Sequence, residues 1–207
     1  MKVILFLLAA VCGYLIAGLN PAITLSKAIY HRDIRECGSG NPGFTNFKRT
    51  FGNRWAWWVL VIDLSKAAVA VCLFAWLLSH QGVDFRIGAA YTGMFCMLGH
   101  AFPLQYKFKG GKGFLVCLST MLVVDWRVGV IATGIMILLL LLTKYMSLST
   151  TIAMLLCPIL LIPFEAPLPV VLMMLFCALF MAFRHKENFS RLIHGREPKF
   201  SFRRNPS

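Results

Sequence analysis

The chain has 207 residues, 58% of them hydrophobic, a mean hydropathy of +0.72 and a net charge of +13. That apolar share exceeds the share in a soluble globular domain, so a soluble fold is excluded. The seven cysteines are odd in number, lack a C-x-x-C pair and lie mostly in apolar runs, which excludes a disulfide framework or a cysteine metal site.

In chain order, apolar segments fall at 3–28, 55–78, 87–104, 114–124, 128–143, 148–164 and 168–183. The fold expected is an all-α polytopic membrane protein with about seven transmembrane helices in a single domain, 1–207. The first segment runs past the length of a signal peptide's apolar region, so it is read as a retained helix. Trp55, Trp57 and Trp58 open the second segment, where aromatic rings favour the membrane interface. Inside it, Asp63 and Lys66 sit three residues apart on one helix face, either as an internal pair or as part of a site. The segment 114–124 is too short to cross about 30 Å of hydrocarbon unaided; it is either buried in the bundle or extended by its flanks.

Alternating connections collect the basic residues on one side, within 32–54, 107–112 and 184–204, while the other side carries Lys2, Arg86 and Arg127. The positive-inside rule then puts the N-terminus outside and the C-terminus in the cytoplasm. Three basic segments on one face can build one site for an anion, either a lipid headgroup or a phosphorylated substrate. They are short and tethered to spans, so nucleic acid is not an expected partner.

The first segment is GSGNPGFTN at 38–46. Gly38, Gly40 and Gly43 permit close approach of a ligand, Ser39, Asn41, Thr45 and Asn46 add polar groups, and Arg49 follows. The second crowds Lys107, Lys109, Gly110, Gly111, Lys112 and Gly113 ahead of a helix, an anion-binding arrangement without the spacing of a Walker A loop. The third carries His185, Asn188 and Arg191 at intervals of three, so that on a helix continuing the last span His185 and Asn188 share a face. Neither His185 nor His100 sits in an H-x-x-x-H or H-E-x-x-H pattern or with a carboxylate cluster; no metal or cofactor is expected.

Together these motifs resemble those of the bacterial membrane glycerol-3-phosphate acyltransferases of the PlsY type, which use acyl phosphate as donor. The resemblance rests on Gly38 to Asn46 with Arg49, then on Gly99, His100, Phe102, Pro103 and Phe108 to Gly113. It is completed by His185, Asn188, Arg191, Leu192, Gly195 and Glu197, and by Asp63 and Lys66 in the second segment. It covers nearly the whole chain. Departures fall at Phe44, Ala67, Leu115, Val116 and the Asn20-Pro21-Ala22 element, positions of packing and acyl-chain fit.

The resemblance implies acyl transfer from acyl phosphate to the 1-hydroxyl of glycerol 3-phosphate, by a monomer in the bacterial inner membrane with its site facing the cytoplasm. Under that reading Ser39 and its loop hold a phosphate or the developing oxyanion, and Arg49 and Lys112, with Lys109, clamp phosphate oxygens. His185 and Asn188 orient the attacking hydroxyl, with either His185 or the leaving phosphate accepting its proton. Asp63, Lys66, His100, Arg191 and Glu197 are assigned structural roles. A phosphorylated-solute transporter and an anionic-lipid-binding scaffold are the competing classes; the first would expose polar groups to both sides, and the second has no use for the glycines.

Overall fold

The computed structural model describes residues 1–201; Arg203 and Arg204, the end of the last basic cluster, lie outside the described residues. The expected first helix is two. α1 (Lys2–Gly18) stops at Leu19, and α2 (Pro21–Tyr30) restarts at once. Asn20 Oδ1 accepts from the Ile23 N–H at 3.0 Å and Pro21 opens the new helix, the usual chemistry of a helix start. The carbonyl orphaned at the break, that of Leu19, accepts from Lys66 Nζ at 2.6 Å.

A short 3₁₀ turn, Ile34–Glu36, leads through the first loop to α3 (Phe44–Phe51), and α4 (Asn53–Ser79) follows after Gly52. Its 27 residues give about 40 Å of helix, more than a bilayer core requires. α5 (Phe85–Ala101) is capped by Asp84, whose Oδ1 accepts from the Arg86 N–H at 2.7 Å. The second loop leads to α6 (Phe114–Val124), then α7 (Trp126–Thr143), α8 (Met146–Leu160), α9 (Leu168–Arg184) and α10 (Lys186–Ile193). No strand occurs among the described residues.

α6 resolves the ambiguity of the short segment: it is buried, packed against α4, α5, α7, α8 and α9. Small and flexible side chains fill the centre around it, including Ala70, Ala89, Ala90, Cys96, Met97, Met121, Met154 and Met174. The outside is apolar too: Val3, Leu7, Val69, Leu138, Leu142, Leu172 and Leu179 are exposed, as on a bundle whose solvent is hydrocarbon. Among the described residues, the runs Lys2–Tyr30, Asn53–Ser79 and Trp126–Thr143 are long and apolar enough to cross a bilayer; α9 and α10 meet that test jointly, bent by 53°.

Candidate active site

The first loop is braced from inside. Asn46 is buried; its Oδ1 accepts from the Ser39 N–H at 3.0 Å and its Nδ2 donates to the Cys37 carbonyl at 2.9 Å. The N–H groups of Gly40 and Gly43 donate to Cys37 and Asn41 carbonyls at 2.9 and 3.0 Å. The expected nest of free loop amides is therefore mostly consumed by the loop itself. Donors remain at the next turn: α3 has no side-chain cap, so Phe44, Thr45 and Asn46 open it with amides a helix leaves unpaired. Arg35 fastens this loop to the second, its Nη1 donating to the Tyr106 carbonyl at 3.0 Å.

The second loop repeats the pattern. Gly110 and Gly111 donate to the carbonyls of Ala101 and His100 at 3.2 and 3.1 Å, and their own carbonyls accept from Arg184 Nη2 at 3.3 and 3.2 Å. A Cβ on Gly110 would come within 2.0 Å of the His100 carbonyl oxygen, and one on Gly111 within 2.3 Å of His100 Nε2. These two glycines serve close packing, since their amides are spent within the chain. Lys109 points away into solvent, whereas Lys112 Nζ donates to Asn188 Oδ1. Gly113, at φ +85°, turns the chain into α6, again without a side-chain cap.

The third segment is not a straight continuation of the last span. α9 ends at Arg184 and the chain bends at His185. His185 Nδ1 lies 2.9 Å from the Met181 carbonyl; a carbonyl only accepts, so Nδ1 carries the proton and Nε2 is left as an acceptor. Glu197 gathers the rest: its Oε1 accepts from Asn188 Nδ2 at 2.6 Å and Ser147 Oγ at 2.9 Å, its Oε2 from Arg191 Nε at 2.9 Å. Burial pushes the Glu197 carboxyl up, but these three donors outweigh it and hold it below the ordinary value. Beyond Glu197 the tail crosses to α3, where Lys48 Nζ donates to the Ser201 carbonyl at 2.8 Å, and to the α7–α8 turn, where the Phe200 N–H donates to Lys144 at 2.7 Å.

The three segments enclose a cavity of about 260 Å³. Ser39, Asn41, Gly43, Thr45, Arg49, Lys112, Gly113, His185, Asn188, Arg191 and Glu197 line it, as do Asp63 and His100. Gly38, Gly40, Asn46, Lys66, Lys109, Gly110 and Gly111 do not. Leu60, Leu64, Phe114, Leu115, Leu118, Met136 and Met146 form an apolar wall. Ser147, Thr150 and Pro198 also reach the cavity, and Arg184 holds the second loop; sequence reasoning had no signal for the first two, which sit in an apolar run.

The charge of this cavity is unbalanced. Arg49, Lys112 and Arg191 share one carboxylate, Glu197, itself paired with Arg191 at 2.9 Å, because Asp63 is taken by Lys66 at 2.8 Å. Burial, followed by the nearby Arg191, lowers the Lys112 ammonium to about 8, and burial likewise lowers Arg49. Two uncapped helix N-termini, those of α3 and α6, open on the same space and add their positive ends. Cationic side chains, two helix N-termini and an apolar wall thus share one cavity.

A family model described as glycerol-3-phosphate acyltransferase matches residues 7–195. The chain is 31% identical to the glycerol-3-phosphate acyltransferase of Coxiella burnetii (strain Dugway 5J108-111), covering 94% of this chain and 97% of that one. It is also 31% identical to that of Legionella pneumophila (strain Corby), over 96% of this chain and 70% of the relative. Among solved structures, the crystal structure of PlsY, an integral membrane glycerol 3-phosphate acyltransferase, in its glycerol 3-phosphate form superposes with a TM-score of 0.86 at 27% identity, over 95% of this chain and 96% of that one. The lysophosphatidic acid form of PlsY gives 0.82 at 26% identity, over 95% of each chain. With nearly its whole length matched and its basic segments gathered on one cavity, this all-helical chain belongs to the PlsY family of membrane glycerol-3-phosphate acyltransferases.

Proposed function

We propose that the protein transfers an acyl group from acyl phosphate to the 1-hydroxyl of sn-glycerol 3-phosphate, giving lysophosphatidic acid and phosphate. The observation that carries this is the meeting of α3 and α6, both uncapped, over a cation-rich cavity with an apolar wall. Two phosphorylated substrates need two anion sites, and an acyl chain needs apolar side chains beside them. The matched crystal structures of PlsY in glycerol 3-phosphate and lysophosphatidic acid forms agree with this substrate and product.

In this reading Arg49, Lys112 and Arg191 bind phosphate oxygens by charge-assisted hydrogen bonds. Ser39 Oγ and the first amides of α3 offer donors to the second phosphate or to the acyl oxygen as it gains charge. Asn188, held between Lys112 and Glu197, and His185, with Nε2 open, orient the attacking hydroxyl. His185 Nε2 takes the hydroxyl proton as the oxygen attacks the acyl carbon, and phosphate departs. Gly38, Gly40, Asn46, Gly110 and Gly111 act by shaping the loops, while Lys109 faces solvent. The protein is a monomer in the bacterial inner membrane, crossing seven times with its N-terminus outside and the cavity facing the cytoplasm; the side bias of Lys and Arg supports that orientation.

The test is a reconstituted assay with glycerol 3-phosphate and either palmitoyl phosphate or palmitoyl-CoA, with Ser39→Ala and Lys112→Ala beside the wild type. Lysophosphatidic acid from palmitoyl phosphate alone, lost in both variants, is the expected result. No product from either donor in a folded preparation overturns the reading.

A further inference from the structure

His100 is 4% exposed, close to the end of α5, and lines the cavity. Its Nδ1 lies 3.2 Å from Lys66 Nζ. Lys66 also donates to the Leu19 carbonyl at 2.6 Å and has Asp63 Oδ1 2.8 Å away as its counter-charge, an ion-pair contact too bent to count as a hydrogen bond. An ammonium has hydrogens to give and no lone pair to receive one. Nδ1 must therefore accept from Lys66, and the ring proton sits on Nε2. A proton on Nδ1 would face the ammonium at 3.2 Å, while Asp63 Oδ1, the acceptor on that side, lies beyond hydrogen-bond distance at 3.7 Å.

That leaves Nε2–H as a donor, and among the described residues no acceptor meets it. It stands beside Gly111, where an added Cβ would come within 2.3 Å of it, and Lys112 and Gly113 link Gly111 to α6 along the chain. Because His100 lines the cavity, a ligand oxygen there can reach this N–H and supply the acceptor that the chain does not.

We infer that His100 is a further substrate-contacting residue, its Nε2–H donating to a phosphate oxygen held at the N-terminus of α6, with Lys66 and Asp63 as positioning residues that fix the tautomer. The inference rests on the cavity being the acyl-transfer site. The oxygen belongs to glycerol 3-phosphate or to acyl phosphate, which share this chemistry.

Two experiments on the full chain test it. His100→Asn keeps an acceptor for Lys66 near the Nδ1 position and removes the Nε2 donor, whereas His100→Gln restores an amide N–H near Nε2. With an unchanged melting temperature, His100→Asn is expected to raise the KM of one substrate about tenfold or more, and His100→Gln to recover part of the loss. The substrate whose KM moves identifies the oxygen. A folded His100→Asn with both KM values within about twofold of wild type overturns the inference. Independently of activity, ¹⁵N-histidine NMR of the wild type is expected to show His100 protonated on Nε2, with a resonance that shifts on adding inorganic phosphate. Protonation on Nδ1, or no response to phosphate, overturns it even if the variants fail to fold. A wild type that makes no lysophosphatidic acid from either donor fails the functional reading instead, and leaves the NMR result to be judged alone.

Discussion

Asn188 donates through Nδ2 to Glu197 Oε1 at 2.6 Å while its Oδ1 accepts from Lys112, so one carboxamide is fixed from both ends by opposite charges. Neither rotation of the amide satisfies both partners except the one observed. The tail carboxylate thereby sets the direction in which a residue of α10 faces the cavity.

Glu197→Ala removes the acceptor of Asn188, Ser147 and Arg191 together. It is expected to cost about 1–3 kcal/mol in stability and to lower kcat/KM as Asn188 loses its orientation. Thermal unfolding in detergent measures the first. The folded-state pKa of Glu197 is depressed, so its contribution is present above the ordinary value of 4.5 and is lost as the pH falls through the lower folded value. The stability gap between wild type and variant should close in acid.

Lys112, lowered to about 8, is charged at neutral pH and discharges just above it. Loss of the ammonium weakens phosphate binding, so log(kcat/KM) is expected to fall with a slope of about −1 above pH 8. Lys112→Arg stays charged throughout and should lack this limb even if its rate is lower. The pH profile of the two proteins decides it.

Gly110→Ala would set a methyl group against the His100 carbonyl and Pro103 Cδ, 2.0 and 2.4 Å away. The backbone has no room to give, so the second loop must shift. A loss of about 1–3 kcal/mol is expected, together with a weakened affinity for glycerol 3-phosphate. Unfolding and KM measurements on one preparation test both.

His185→Gln retains an amide near the hydroxyl but no proton acceptor of comparable basicity. If Nε2 takes the proton, kcat falls about 100-fold or more while KM changes little. A kcat near that of the wild type would transfer the proton's destination to the leaving phosphate.

Much of the bundle is legible in the apolar runs. The segment expected at 114–124 is a helix with those bounds, and 168–183 differs from α9 by one residue. The breaks are harder to read, because hydrophobicity does not register them. The 3–28 run continues through Leu19, and only Asn20-Pro21 marks the restart. The bend at His185 falls inside an unbroken helical pattern, with no proline or glycine to announce it. In the loops, residue types indicate donors but not which donors are already used: the amides of Gly110 and Gly111 are committed to α5, and Arg184 to their carbonyls. Ser147 is one hydroxyl among many in an apolar stretch, and its bond to Glu197 spans 50 residues.

The break after Leu19 has a bearing on how the chain acquires its site. The Leu19 carbonyl waits for Lys66, Asn20 Nδ2 for the Pro42 carbonyl, the first loop for Arg35 to reach Tyr106, and the cations of the cavity for Glu197. Each partner is supplied by a later stretch of chain, the last by Glu197. The site therefore depends on a carboxylate that follows the last helix, and a chain truncated before Glu197 is expected to lose the group that pairs with Arg191 and orients Asn188.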